Sequence, residues 1–382
     1  MVHLLSWLIN ALLYRANAQT GQRLIERVLV FKIDLLGDFV LAVPALMQLQ
    51  RAFPKAQFTY VVSPQSVEMA RLLGDVAVIP YESSFFYPYR ARVSLSRMWT
   101  LARTLATESP DLIVDFRSDP VSLMVALLAR AGHRIEIGAQ RIGPTLRKWL
   151  GLPTAPALHE SEVYDVAVRR WMLTSNAADG NSLPASLGPA LLFKVRTGLS
   201  ISGSALDSSD YAVLHIGGSA RFKRWPTARF IALATRLRAR TGLRCVLVGS
   251  GSERELLENA SLDLFDGVDL VDLVGQTDLL ALFAVVAGAR LVVANDSAVG
   301  HIAAATGRSV ITIYGGPSDP SAFAPRGPGT CRVIRPACAC RTAEQDHCAR
   351  GELRWCLGQV GIDEVEVLVD EVLSSPAPGE CR

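Results

Sequence analysis

Short apolar runs alternate with longer helical stretches along this chain, twice over, and no other feature limits its fold as tightly. VLVFKI (28–33), FTYVVS (58–63), VAVIPY (76–81), DLIVDFRS (111–118) and RIEIGA (134–139) read as buried strands. Helical segments over 36–53, 66–73, 95–106 and 121–132 stand between them, with Pro44 in the first turn of its helix or kinking it. Buried strands alternating with helices are the signature of a parallel sheet covered on both faces. After Trp171 the chain turns to TSNAADGNSLPASLGPALLF and stays loop-like to Asp210, the composition of an inter-domain linker. The series then restarts with YAVLHIGG (211–218), RCVLVGS (244–250), VDLVG (271–275), LVVAND (291–296) and SVITIYG (309–315) as strands, the last of them final. The expected fold is therefore α/β, two Rossmann-like doubly wound domains facing a central cleft. Its parts are an N-terminal apolar helix (1–27), a first domain (28–174), a linker (175–208), a second domain (209–362), and a C-terminal helix and tail (363–382).

Composition narrows the function classes. With 382 residues, half hydrophobic, the chain can bury a sizeable core in each of two domains. A net charge of +3 is too small for a general nucleic-acid binder. Of the 39 basic residues 34 are arginine, a bias that suits phosphate recognition but is accounted for more simply by a GC-rich genome. Cys245 lies inside an apolar run and reads as core. Cys331, Cys338, Cys340, Cys348, Cys356 and Cys381 crowd the last 52 residues, where free thiols, disulfides and a structural zinc are all open readings. The usual C-x2-C knuckle is absent, and no metal ligands are assigned. No signal peptide is read, so the expected location is cytoplasmic. Val2 to Tyr14 is nearly all apolar but too short to span a bilayer. Such a segment packs on its own protein or lies in the membrane interface, which would make the protein peripheral at the inner face of the inner membrane.

In doubly wound sheets ligands bind beyond the carboxyl ends of the strands. The clearest such segment is ANDSAVGHIAAATGRSVITIYGGPSDP (294–320). A strand ends at Asn295-Asp296 and a helix begins at Ser297-Ala298, where open N–H groups and the helix dipole favour an anion such as a diphosphate. A plain capping turn accounts for the same residues equally well. A dinucleotide fingerprint is not met: Gly249 and Gly251 give G-x-G, but Arg254 stands at the third glycine position.

That segment resembles glycosyltransferase family 9, whose D-S/T-G-x-x-H-x-A-A-A-x-G strand–helix unit precedes a G-P-T-D-P-like loop. Here it reads Asp296-Ser297-Ala298-Val299-Gly300-His301, Ala303-Ala304-Ala305 and Gly307, then Gly316-Pro317-Ser318-Asp319-Pro320. The family pattern has Gly where Ala298 stands. Three further segments are similar in the family's order. VLVFKIDLLGDFVLAVPAL (28–46) looks like its L-G-D turn, HIGGSARFKRWPTARF (215–230) like its K-R-W-P loop, and VLVGSGSERELLENA (246–260) like its strand–loop–helix. The cysteine-bearing tail at 348–365 resembles the family's as well.

The resemblance implies a GT-B fold and inverting, metal-independent transfer with no cofactor. It implies a nucleotide-sugar donor, ADP-heptose, and a lipopolysaccharide core or other cell-envelope glycan or glycolipid as acceptor. Asp38 would be the base that removes the acceptor proton; read without the resemblance, it is an N-cap. If Asp34 faces the same way, mutual repulsion would raise one of the two carboxyl pKa values. Lys223 and the helix start at Ser297-Ala298 would receive the diphosphate, with Asp296 orienting Lys223 and His301 as a phosphate neighbour or cap. Glu253 would bind the ribose hydroxyls, or else complement a helix dipole. Trp225 and Pro226 would fix their loop. On the acceptor side, Tyr87, Tyr89, Arg90, Arg92 and Arg97 form a patch suited to anionic saccharide, or a solvated loop, and Arg117 follows a strand end. A silent relative that binds nucleotide or glycan without turnover is the alternative resting on Ala298, and another nucleotide-sugar donor is the second.

Overall fold

RVLVFK (Arg27–Lys32) forms β1, five of its six residues buried, because a strand flanked on both sides and covered on both faces has no solvated edge to serve. The computed structural model describes residues 25–82, 95–117, 120–129, 131–137, 158–174, 211–258, 270–315, 318–336 and 355–374. Outside these residues lie the N-terminal apolar stretch, the linker 175–208, most of the acceptor-side patch, and Cys338, Cys340, Cys348 and Cys381. The chain divides into two compact units, Met1–Ser186 and Leu187–Arg382, a boundary that falls inside the span read as linker.

In the first unit β1 is joined by β2 (Gln57–Val62), β3 (Ala77–Pro80), β4 (Leu112–Asp115) and β5 (His133–Glu136). Their order is β3-β2-β1-β4-β5 and every pairing is parallel. The chain thus winds outward from β1 to one side, then returns to β4 on the other. The switch point lies between β1 and β4, where the two crossovers part and leave a crevice at the carboxyl ends. A helix over Leu36–Ala52 follows β1 and contains Pro44. A second helix, Glu160–Thr174, packs against it and was not apparent from the sequence pattern.

The second unit repeats the plan with six strands: β6 (Tyr211–His215), β7 (Arg244–Val248), β8 (Leu270–Asp272), β9 (Leu291–Asn295), β10 (Ser309–Ile313) and β11 (Cys331–Ile334). The order is β11-β10-β9-β6-β7-β8, again all parallel, so the switch point lies between β6 and β9. SVITIYG is therefore not the last strand. β11 adds a four-residue edge, only half-buried and interrupted by Arg332, which left no apolar run to read. The helix Ile362–Ser374, read as part of a separate tail, belongs to this unit's core. Val365, Val369 and Val372 are buried beneath it, and Arg236 and Arg240 pair with Asp363, Glu366 and Asp370 along its flank. Cys245 and Cys356 are both buried in that same core, as small apolar side chains are. Among the described residues no helix is long and apolar enough to cross a membrane.

Candidate active site

The two switch points collect nearly all the residues that the motifs single out. In the first unit β1 runs into Ile33-Asp34, and the following helix begins at Leu36. Its N-cap is Leu35, with no side-chain cap, so Asp38 sits in the first turn and is not the N-cap. Asp34 is 2 % exposed and tightly engaged. Lys32, itself buried, donates to one carboxylate oxygen, and Arg117 at the end of β4 lies 2.9 Å from the other. The Arg117 pair bridges the switch point. Lys32 also donates to the Tyr164 hydroxyl at 2.7 Å, and Tyr164 donates in turn to Glu160 on the helix Glu160–Thr174.

Asp38 stands half-buried beside this array. Burial first, and then the Asp34 and Glu160 charges, push its carboxyl up from 3.8 to about 6 against the opposing pull of Lys32 and Arg117. A buried carboxyl near a second carboxylate pays for every ionisation, which is how a weak base becomes a useful one at neutral pH. No hydrogen bond ties the Asp38 carboxylate to a described residue. The lysine and arginine pair with Asp34.

In the second unit the loops after β6, β7 and β9 meet. Lys223, in a 3-10 turn over Arg221–Lys223, lies 2.7 Å from Asp296 Oδ2, which also accepts from the Ser318 hydroxyl at 2.7 Å. Arg224 is turned away, donating to the Gly218 carbonyl at 2.8 Å. Trp225 is 1 % exposed, stacked edge-on to Phe230 and donating to the Val360 carbonyl, so it fixes its loop. Asn295 does more than the sequence pattern suggests. Fully buried, it accepts from Trp225 N–H and donates to the Ile216 and Gly217 carbonyls, stitching the K-R-W-P loop to the end of β6. Asn295→Ala would orphan all three backbone groups. We expect a loss of about 3 kcal/mol, read as a lower urea midpoint at unchanged slope, whereas a loss below about 1 kcal/mol would mean the loop is held elsewhere.

Glu253 closes a capping box with Ser250, accepting from its N–H at 2.7 Å, and also accepts from Gly218 N–H at 2.9 Å. Its carboxylate lies so close to Gly217 that a Cβ there would meet Oε1 at 1.7 Å, which explains the glycine. Burial alone would raise its pKa, but the hydrogen bond and charge of His215 and the Ser250 donors outweigh it and hold the group at about 2. A carboxyl depressed on folding stabilises the protein fully above about pH 4.5 and loses that contribution as pH falls toward 2. Wild type should therefore lose about 3 kcal/mol relative to Glu253→Gln between pH 5 and pH 2. Parallel urea midpoints for the two proteins across that range would contradict it.

Ser297 is the N-cap residue of the helix Ala298–Ala305 but makes no cap hydrogen bond with its side chain. Its hydroxyl instead lies 3.0 Å from Nδ1 of His215, the last residue of β6. Ala298 opens the helix half-buried, and His301 is buried one turn on. The structure thus brings Lys223, Glu253, Asp296, Ser297 and Ala298 onto the adjoining loops of one sheet end. Lys32, Glu160, Tyr164, His215 and Asn295 had no motif of their own. A lysine inside an apolar strand and a histidine at a strand's carboxyl end were the available signals.

Comparison with known proteins identifies the family. A family model described as glycosyltransferase family 9 (heptosyltransferase) matches residues 98–349. Lipopolysaccharide heptosyltransferase 1 of Salmonella typhimurium is 28% identical over 301 residues, covering 77% of this chain and 89% of the relative. The Escherichia coli protein of the same name is 28% identical over 320 residues, covering 81% and 94%. An Escherichia coli heptosyltransferase solved with ADP superposes with a TM-score of 0.65 at 22% identity, covering 90% of this chain and 99% of that one. The Escherichia coli ADP-heptose heptosyltransferase II gives a TM-score of 0.63 at the same identity. Two Rossmann-like domains of the GT-B class, the ordered motifs and a match across most of the sequence lead to one assignment: the chain belongs to glycosyltransferase family 9, the heptosyltransferases.

Proposed function

We propose that this glycosyltransferase moves heptose from ADP-heptose onto a lipopolysaccharide-core or related envelope acceptor, with inversion and without a divalent metal. The observation that carries the reading is the Asp38 carboxyl, raised to about 6 at the switch point of the first sheet while Asp34 and its cations hold the surroundings fixed. Ionised Asp38 takes the proton from an acceptor hydroxyl as that oxygen attacks the anomeric carbon from the side opposite the diphosphate. The bond to the diphosphate breaks, and ADP leaves with the electron pair. Lys223 and the open amides at Ser297-Ala298 receive that charge, with Asp296 aiming the lysine and His301 behind it. Glu253, beyond holding its loop, faces the ribose hydroxyls. The acceptor binds the first unit and the donor the second. The enzyme works on the cytoplasmic side, where a membrane-attached acceptor would bring it to the inner face of the inner membrane.

Calorimetric titration with ADP, UDP, GDP and NAD in the presence of EDTA tests the donor half. ADP alone should bind. Preference for UDP or GDP would keep the enzyme class and discard heptose. ADP binding with no turnover on any envelope acceptor would favour the silent relative, with the Ala298 methyl as its cause.

A further inference from the structure

We propose that Glu160 is a positioning residue for Asp38: through the Tyr164 hydroxyl it keeps the buried Lys32 ammonium on Asp34 and off the base. The inference rests on the reading of Asp38 as the base and adds the group that keeps that base from being quenched.

Lys32 closes β1 with none of its surface exposed, so its ammonium must be satisfied from inside the first unit. It donates to Asp34 Oδ2 and, at 2.7 Å, to the Tyr164 hydroxyl. The same hydroxyl donates to Glu160 Oε1, one turn earlier on the helix Glu160–Thr174. With its hydrogen committed to that carboxylate, the phenol oxygen turns a lone pair toward the lysine. The ring carrying it is fixed too, its centroid 4.8 Å from that of Phe116, which follows β4. Glu160 is 7 % exposed, so little of its charge is screened by water. One carboxylate on this helix thereby sets where a cation at the end of β1 stands.

The charged groups that act on Asp38 come from each element around it. They are Lys32 and Asp34 at the end of β1, Arg117 after β4, and Glu160 on the helix packed against its own. His159, beside Glu160, is turned to the Ser161 hydroxyl at 2.8 Å. Among the described residues two cations thus face three carboxylates, and the array is neutral when one carboxyl carries a proton. Lys32 pulls that proton off Asp38 and Glu160 opposes it. Arg117 is engaged by Asp34 at 2.9 Å. Without Glu160 the lysine acts on Asp38 unopposed. An Asp38 paired with a buried ammonium would be ionised but a poor acceptor for the proton of a hydroxyl.

The test is an NMR titration of the full chain, isotope-labelled at the aspartate carboxyls, with the Asp38 resonance assigned by its absence from Asp38→Asn. Wild-type Asp38 should titrate at about 6. Glu160→Gln keeps an oxygen to accept from Tyr164 and loses the charge, so the midpoint should fall by about 1. Tyr164→Phe changes no charge and keeps the ring against Phe116. By releasing Lys32 toward Asp38 it should lower the midpoint as well, and it decides the matter if Glu160→Gln does not fold. A merely structural role for either residue would cost stability and leave the midpoint in place. A midpoint that either variant leaves unmoved or raises overturns the inference, with Asp38 still standing as the base. In transfer from ADP-heptose to heptose-free lipopolysaccharide, the acid limb of kcat/KM should follow the midpoint. A limb that stays while the midpoint moves, or a wild-type Asp38 that titrates at the ordinary 3.8, removes the base reading and this inference with it.

Discussion

Asp38→Asn should lower kcat by about 10²- to 10⁴-fold, the range that a positioned general base contributes, and leave ADP affinity within about twofold of wild type. The amide keeps the shape and loses the lone pair that accepts the proton. The same substitution should also stabilise the fold. A carboxyl whose folded pKa is raised binds its proton more tightly in the native state. Its ionisation therefore costs stability, and that cost appears as pH rises from 3.8 through about 6. Removing the charge should return on the order of 2–3 kcal/mol at pH 8 and almost nothing at pH 3.5. In wild type kcat/KM should fall below an apparent pKa near 6, and Asp34→Asn should shift that limb to lower pH, because it removes the neighbouring carboxylate that raises Asp38. An Asp38→Asn protein that is both active and no more stable would remove the base assignment and the pKa argument together.

The features legible beforehand are those that one stretch of chain encodes locally. Ten strands and the crossover helices between most of them follow from apolar runs bounded by loop residues, and the L-G-D and K-R-W-P segments stand at strand ends where the topology places ligands. The helix Glu160–Thr174 escaped because its buried face carries Glu160 and Tyr164 among Val163, Val168 and Trp171, which blurs the apolar period of an ordinary amphipathic helix. Those polar residues are buried because Lys32, more than 120 positions earlier, is there to be satisfied. The contacts of Asn295 and His215 do not follow from the local sequence for the same reason. Their partners come from other strands, and only the β6–β9 pairing brings them into range. Ser297 was read as a helix start, which it is, but the direction of its hydroxyl is a tertiary fact.

Lys223→Ala carries the second large effect, and the structure predicts that it will differ in kind from the loss of the base. On the proposed reading the substitution removes the cation that meets the departing diphosphate, and Asp296, 9 % exposed at its side chain, is left without its 2.7 Å partner. An unpaired, nearly buried carboxylate repels an incoming anion as well as failing to attract it. Both the ground state and the transition state therefore suffer. We expect ADP to bind about 10- to 100-fold more weakly and kcat to fall a further 10²- to 10³-fold, as on removal of a preorganised charge stabiliser. Lys223→Ala combined with Asp296→Asn separates the two contributions. Neutralising the stranded carboxylate should recover much of the ADP affinity, because the repulsion is gone, but little of kcat, because the cation is still missing. Recovery of turnover in the double variant would show that Lys223 serves only to neutralise Asp296, and would transfer the stabilisation of the leaving group to the helix amides beside Ser297.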